Sequence, residues 1–279
     1  MADLVLHRSG PPAGEAPVLV LLHGHSDSGP SWADAIARWS PDYHVVAVDQ
    51  RGHGESPRFT EAEFDRGTTD VMTDDTFALL AELAAETGRP SLLAGHSMGA
   101  RVSGLAAAQA PDLVAAVVLE DPPWWLPVGG PSPWERRAAQ APVTSSSAAP
   151  EPEAAPEPAE PTVDELVAAQ RISSPNWPES ELRPWAESKK QYDAEMSKHR
   201  RDRTKDWTDT VRGLTMPALL VTGTNNVLIG PDVRDEVRRI APGVEIAVIE
   251  DAGHCVRRDQ GTAFHAVVDA FLAANKPKV

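Results

Sequence analysis

The sequence predicts an α/β protein built on an open, doubly wound and mostly parallel sheet. Short apolar runs rich in β-branched residues recur along the chain and are continuous rather than alternating, which means that both faces of each strand are covered. Helical patterns separate most of these runs, as crossover connections require. One long strandless stretch then breaks the alternation in the second half of the 279-residue chain.

The elements follow in order. Val18 to Leu22 is bounded by Pro17 and by His23-Gly24, and Val45 to Val48 ends at Asp49. Ser91 to Ala94 ends at Gly95, and Ala116 to Leu119 ends at Glu120-Asp121. Ala218 to Thr222 and Val244 to Ile249 complete the expected strands. Helices are expected over Asp70 to Glu86, Met98 to Ala110, Asp232 to Ile240 and Thr262 to Ala274. Ligands of such sheets sit beyond the carboxyl ends of the strands, so the residues just after each strand are the ones to inspect.

Residues 1–121 and 214–279 are therefore expected to form the core, and 122–213 an inserted helical lid. Eleven of the 26 prolines fall between Pro122 and Pro161. Within this region 141–161 is Pro/Ala/Glu-rich, has too little apolar surface to offset ordering entropy, and is expected to be flexible. Val163 to Ile172 and Pro184 to Arg201 read as helices. Six of the eight tryptophans (Trp124, Trp125, Trp134, Trp177, Trp185 and Trp207) belong to the insertion. They suit both the core of a small subdomain and the lining of an apolar pocket, with Gly24, Trp124, Trp125, Trp177 and Trp185 the expected pocket residues. The run Lys198 to Arg203 is diluted by Asp202, Asp206 and Asp209 and reads as a solvated helix face.

Composition excludes several classes. Hydrophobic residues make up 41% and charged residues 24%, as in globular proteins. The net charge of -15 repels phosphate backbones and anionic lipid, so neither nucleic acid nor a membrane is an expected partner. The single cysteine, Cys255, forms no internal disulfide, and the amino terminus lacks a secretory signal pattern; a cytoplasmic protein is expected. It is read as a monomer or homodimer.

Gly95-His96-Ser97-Met98-Gly99 carries the strongest chemical signal. It follows an apolar strand and precedes a helix, the setting of a G-x-S-x-G nucleophile elbow. The glycines remove side chains that would collide in a sharp turn, Ser97 stands at the apex, and the helix N-terminus behind it favours developing negative charge. A serine alcohol needs a base. His254, on the loop after the last strand, lies where the Ser–acid–His chain order puts one. His53 and His96 neighbour the site and read as structural. The backbone N–H groups of His25 and Met98 are the expected oxyanion donors; losing one such donor typically costs about 3–4 kcal/mol of barrier. His23-Gly24-His25 has no carboxylate or cysteine cluster beside it, so no metal and no cofactor is expected.

Four motifs in order, His23-Gly24-His25, Asp49 to Ser56, Gly95 to Gly99 and Ala252-Gly253-His254, make the chain resemble the α/β-hydrolase superfamily from its first strand to its last helix. Most members carry the triad acid in a Gly-x-x-Asp turn after the penultimate strand, where this chain reads Gly223-Thr224-Asn225-Asn226. An amide there cannot balance an imidazolium. Asp121 is the favoured acid: it ends the strand after the elbow, the place that haloalkane dehalogenase-like and zearalenone lactonase-like relatives use. Glu120 competes with it and points the other way in an extended chain. Asp232 is a further alternative. Dehalogenases and epoxide hydrolases place an aspartate at the elbow, whereas here the residue is Ser97. The resemblance thus implies a serine hydrolase of a small apolar ester or lactone, working through an acyl-enzyme. A C–C hydrolase or perhydrolase would use the same triad, and Asn226 motivates a second reading as a receptor-like binding protein with weak turnover.

Overall fold

The computed structural model describes residues 3–128, 130, 131, 136, 160–199 and 206–278. Trp134, nearly all of the 141–161 stretch and the end of the basic run at 200–203 lie outside the described residues.

Seven strands form one sheet in the order β1-β3-β2-β4-β5-β6-β7. They are β1 (Leu6–Ser9), β2 (Val18–Leu22), β3 (His44–Val48), β4 (Ser91–His96), β5 (Val114–Glu120), β6 (Ala218–Gly223) and β7 (Val244–Ile249). Only the β1–β3 pairing is antiparallel; the other five are parallel. The six expected strands are all present. The short and half-polar β1 (Leu-His-Arg-Ser) carries no apolar run that would mark it.

Side-chain alternation explains why the strand runs are apolar throughout. Val18, Val20 and Leu22 face one core cluster, while Leu19 and Leu21 face the other. The first face is covered by α3 (Thr68–Thr87), α4 (Met98–Gln109), α7 (Trp207–Gly213) and α8 (Pro231–Ile240). The second is covered by α1 (Ala33–Trp39), α9 (Val256–Asp259) and α10 (Gly261–Ala274). A short helix, α2 (Glu61–Arg66), starts with a reciprocal cap between Thr60 and Glu63. Among the described residues no helix is long and apolar enough to cross a membrane.

Between β5 and β6 the described part of the insertion holds α5 (Val163–Ser173), α6 (Glu179–Ser188) and α7. Val167, Leu182 and Ala186 form a small core there, with Trp177 and Trp185 packed against it. The helix expected from Pro184 to Arg201 is not the one that forms. Helix α6 begins at Glu179, carries Pro184 inside it, and stops at Ser188. The chain then leaves the helix axis because Ser188 and Lys189 bond to a loop of the core, and a separate 3-10 turn at Ala194–Ser197 starts from the Asp193 side chain.

Candidate active site

The elbow is built from close backbone approaches. Strand β4 ends at His96, and Ser97 takes φ 52 and ψ -116 before α4 begins at Met98. A positive φ at a non-glycine residue is strained and must be held by its surroundings. Ser97 N–H donates to the Glu120 carbonyl at 2.8 Å, which ties the apex to β5. A Cβ on Gly99 would lie 2.2 Å from the Leu22 carbonyl oxygen, and one on Gly95 would lie 2.4 Å from that of Gly99. Both positions therefore exclude every side chain, and the apex hydroxyl is pushed out above the sheet.

His254 reaches Ser97 from the loop after β7. Its Nε2 lies 2.9 Å from Ser97 Oγ, and its Nδ1 lies 2.6 Å from Asp121 Oδ2. Asp121 is fully buried. It follows β5 directly and takes φ 41 as the chain turns away from the strand. Leu228 N–H donates to Oδ2 at 2.9 Å; Ile229 N–H and the Thr222 hydroxyl donate to Oδ1 at 3.0 and 2.8 Å. A carboxylate receiving this many donors is held in one orientation. As an acceptor, it selects the Nδ1–H tautomer of His254 and turns the Nε2 lone pair toward the Ser97 hydroxyl, which donates.

The alternatives for the acid lie elsewhere. Glu120 keeps the strand alternation and points to the opposite face, where Arg257 N–H donates to it at 2.9 Å and the Arg257 guanidinium stands 3.4 Å away. Burial raises the pKa of Glu120, with Arg257 working against that shift. Asp232 is an exposed residue of the first turn of α8. Asn226 is exposed at φ 57 on the outside of its turn, while Thr224 and Asn225 N–H groups donate to the Ala252 carbonyl.

The two expected oxyanion donors are oriented through the carbonyls of their own peptides, since C=O and N–H point opposite ways across a trans peptide. The Gly24 carbonyl accepts from His23 Nδ1–H at 2.8 Å and from Asp27 N–H at 3.1 Å, so the His25 N–H is turned away from both. The tautomer of His23 follows, because its Nε2 accepts from Gln50 N–H. Burial lowers the His23 pKa and keeps the ring neutral. The Ser97 carbonyl accepts from Arg101 N–H at 3.0 Å, which leaves Met98 N–H pointing out of the α4 N-terminus.

Of the expected pocket residues, Trp124 lies in the core, 2% exposed and stacked on Trp207 at 5.7 Å. Trp125 donates from Nε1 to the Gly130 carbonyl. Trp177 donates to Asp259 and meets Trp185 edge-on at 5.8 Å. Gly24 is buried against His96, whose Nδ1 lies 2.7 Å from where a Cβ would stand. Burial, with His254 beside it, holds the His96 ring neutral, and burial does the same for His53.

Several neighbours of the site are invisible to motif reading. Tyr192 stands edge-on to His25, with ring centroids 5.1 Å apart. Arg258 pairs with Glu181 at 2.6 Å and with Asp27 at 3.1 Å, and Lys189 pairs with Asp27 at 2.9 Å. These charges come from the insertion, the loop after β2 and α9, and no local pattern announces their meeting. Burial opposes the charge on Asp27, yet Arg258, Lys189 and Arg257 outweigh it and hold the carboxyl well below its usual range.

Residues 19–269 match the model of the alpha/beta hydrolase family, and the chain belongs to that family. It is similar to a 2-(acetamidomethylene)succinate hydrolase of Mesorhizobium japonicum, 27% identical over 256 residues, covering 87% of this chain and 83% of the relative. An sn-1-specific diacylglycerol lipase of Mus musculus is 26% identical over 264 residues, covering 92% and 81%. The crystal structure of an E-2-(acetamidomethylene)succinate hydrolase superposes with a TM-score of 0.74 at 26% identity, covering 97% of this chain and 95% of that one. These relatives are hydrolases, and a hydrolase is what family and fold together define.

Proposed function

We propose that the protein is a serine hydrolase that cleaves a carboxylic ester or lactone of an apolar small molecule through an acyl-enzyme. The observation that carries the reading is the unbroken hydrogen-bond chain from Asp121 through His254 to Ser97. Ser97 Oγ attacks the substrate carbonyl carbon as its proton passes to His254 Nε2, and Asp121 balances the imidazolium. The carbonyl oxygen becomes an oxyanion held by the N–H groups of His25 and Met98. His254 then gives its proton to the leaving oxygen. Water attacks the acyl-enzyme after losing a proton to His254, and the carboxylic acid departs as the Ser97 hydroxyl is restored.

The insertion serves as a lid over this chemistry, and its tryptophans favour apolar acyl or alcohol parts. Asn226 motivates the receptor-like reading, and the contact between Asp121 and His254 Nδ1 supports the enzyme over it. Relatives named for 2-(acetamidomethylene)succinate and for diacylglycerol differ in substrate chemistry, so a substrate panel should span amides, esters and lactone rings.

A fluorophosphonate probe tests the reading. Stoichiometric labelling at Ser97 that is lost in Ser97→Ala and in His254→Ala is the expected result. An unlabelled wild-type protein that also hydrolyses no member of the panel would return the chain to the binding class.

A further inference from the structure

The loop that presents His25 is gripped from above by the insertion. Lys189, the residue after α6, spends all three ammonium donors on it: 2.9 Å to the Ser26 carbonyl, 3.0 Å to Ser26 Oγ and 2.9 Å to Asp27 Oδ1. The Ser188 hydroxyl lies 2.9 Å from the same Ser26 carbonyl and 2.6 Å from that of Trp185, so its one proton is divided between them. Ser26 needs such a grip, because it adopts φ 60, a left-handed conformation unfavourable for a serine. Asp27 passes the constraint on in two directions. Its N–H donates to the Gly24 carbonyl, the other end of the peptide that carries the His25 N–H. Its carboxylate pairs with Arg258, four residues after His254, and Arg258 returns to Glu181 on α6.

We infer that Lys189 is a positioning residue for the oxyanion site: by holding Ser26 and Asp27 it sets the Gly24–His25 peptide, so that seating of the insertion and readiness of the oxyanion site are one event. This inference rests on the serine-hydrolase reading. Its physical basis is that an oxyanion donor contributes only when it is aimed in advance at the place where charge develops. A peptide free to rotate about Ser26 would still let substrate bind, but would meet the tetrahedral intermediate poorly. The loss therefore falls on kcat and not on KM.

The test uses Lys189→Met with p-nitrophenyl butyrate, alongside hydrogen exchange of the peptide spanning residues 22–29. Lys189→Met is expected to lower kcat at least about tenfold with KM within about twofold of wild type. Exchange at 22–29 should quicken while that of α4 stays as it was. Lys189→Gln removes the charge and at least one of the three donors and should move both readouts the same way by less. It also decides the matter if Lys189→Met does not fold. A wild-type kcat in either well-folded variant overturns the positioning role, and so does unchanged exchange at 22–29. The exchange result does not depend on turnover. A wild-type protein that neither reacts with fluorophosphonate nor hydrolyses the ester would sink the serine-hydrolase reading, while the grip on the loop would still be judged by exchange.

Discussion

Glu120 and Asp121 are adjacent in the chain, yet their carboxylates serve opposite faces of the sheet: Glu120 accepts from the Arg257 amide at 2.9 Å and Asp121 lies 2.6 Å from His254 Nδ1. The division follows from strand alternation, which turns neighbouring side chains to opposite faces: Glu120 is the last residue of β5, and Asp121, at φ 41, bonds to Thr222 on the face of Leu119 and Leu220. Asp121→Asn should lower kcat by at least about a hundredfold, roughly 2.7 kcal/mol of barrier, with the fold retained. Glu120→Gln should leave kcat within about threefold and lower the urea midpoint instead, because its loss falls on a buried pair. Steady-state kinetics and urea titration of the two variants check the division, and a reversal of the two outcomes would make Glu120 the acid.

Asn226 is predicted to be dispensable. It is exposed and points no group at His254's partner, so Asn226→Ala should keep turnover within about twofold. Progress curves for this variant against wild type are sufficient; a loss of tenfold or more would reinstate the turn after β6 as part of the site.

The pair Arg258–Glu181 joins α9 to the insertion with both side chains about 1% exposed. Arg258→Met leaves Glu181 and Asp27 short of a cation and should cost about 3–5 kcal/mol of stability. The double variant Arg258→Met, Glu181→Leu should recover part of that cost, because a buried charge left alone is worse than none. Urea unfolding of the three proteins measures the coupling. A double variant no more stable than Arg258→Met alone would contradict it.

Stability should fall as the medium is acidified below pH 6.5. Burial lowers the pKa of His23, His53, His96 and His265 from the ordinary value of 6.5, so the unfolded chain binds protons that the folded one refuses. For groups lowered in this way the stability is complete above 6.5 and is lost progressively below it. His7 runs the other way: its hydrogen bond with Asp49 raises its pKa, and its contribution is present below 6.5 and lost as pH rises through the raised value. Well below 6.5 His7 is protonated in both states and drops out, so the four lowered groups set a slope of at most about 5 kcal/mol per pH unit. Thermal unfolding between pH 5 and 8 in Ser97→Ala checks the sign without interference from turnover, and a Tm that rises on acidification would refute it.

The sheet was legible because its strands are buried on both faces, so each appears as an uninterrupted apolar run whatever its neighbours. The elbow was legible because sterics forbid side chains at Gly95 and Gly99, and His254 because chain order places it after β7. Alternation puts Asp121 and Glu120 on opposite faces, but which face His254 meets depends on how the loop after β7 packs, and the sequence carries no mark of that. The insertion was read less well. Pro184 suggests the start of a helix by propensity, whereas Leu182 and Ala186 packing on Val167 starts it at Glu179. Trp124 carries no mark in sequence that distinguishes pocket wall from core, and its partner Trp207 lies far along the chain. The Lys189–Asp27–Arg258–Glu181 chain is assembled from three distant segments, and charges that meet only through tertiary structure leave no local pattern.

Asp121 is the last core residue before the chain departs into the insertion, and the groups that grip its carboxylate, Thr222, Leu228 and Ile229, belong to the chain after it returns. The insertion and the surroundings of the Asp121 carboxylate thus share one junction. A chimaera given a relative's insertion would have to be spliced beyond Asp121 on one side and before Thr222 on the other, and would also need its own counterparts of Glu181 and Lys189. In this molecule, exchanging the insertion and preserving the surroundings of Asp121 are a single engineering problem.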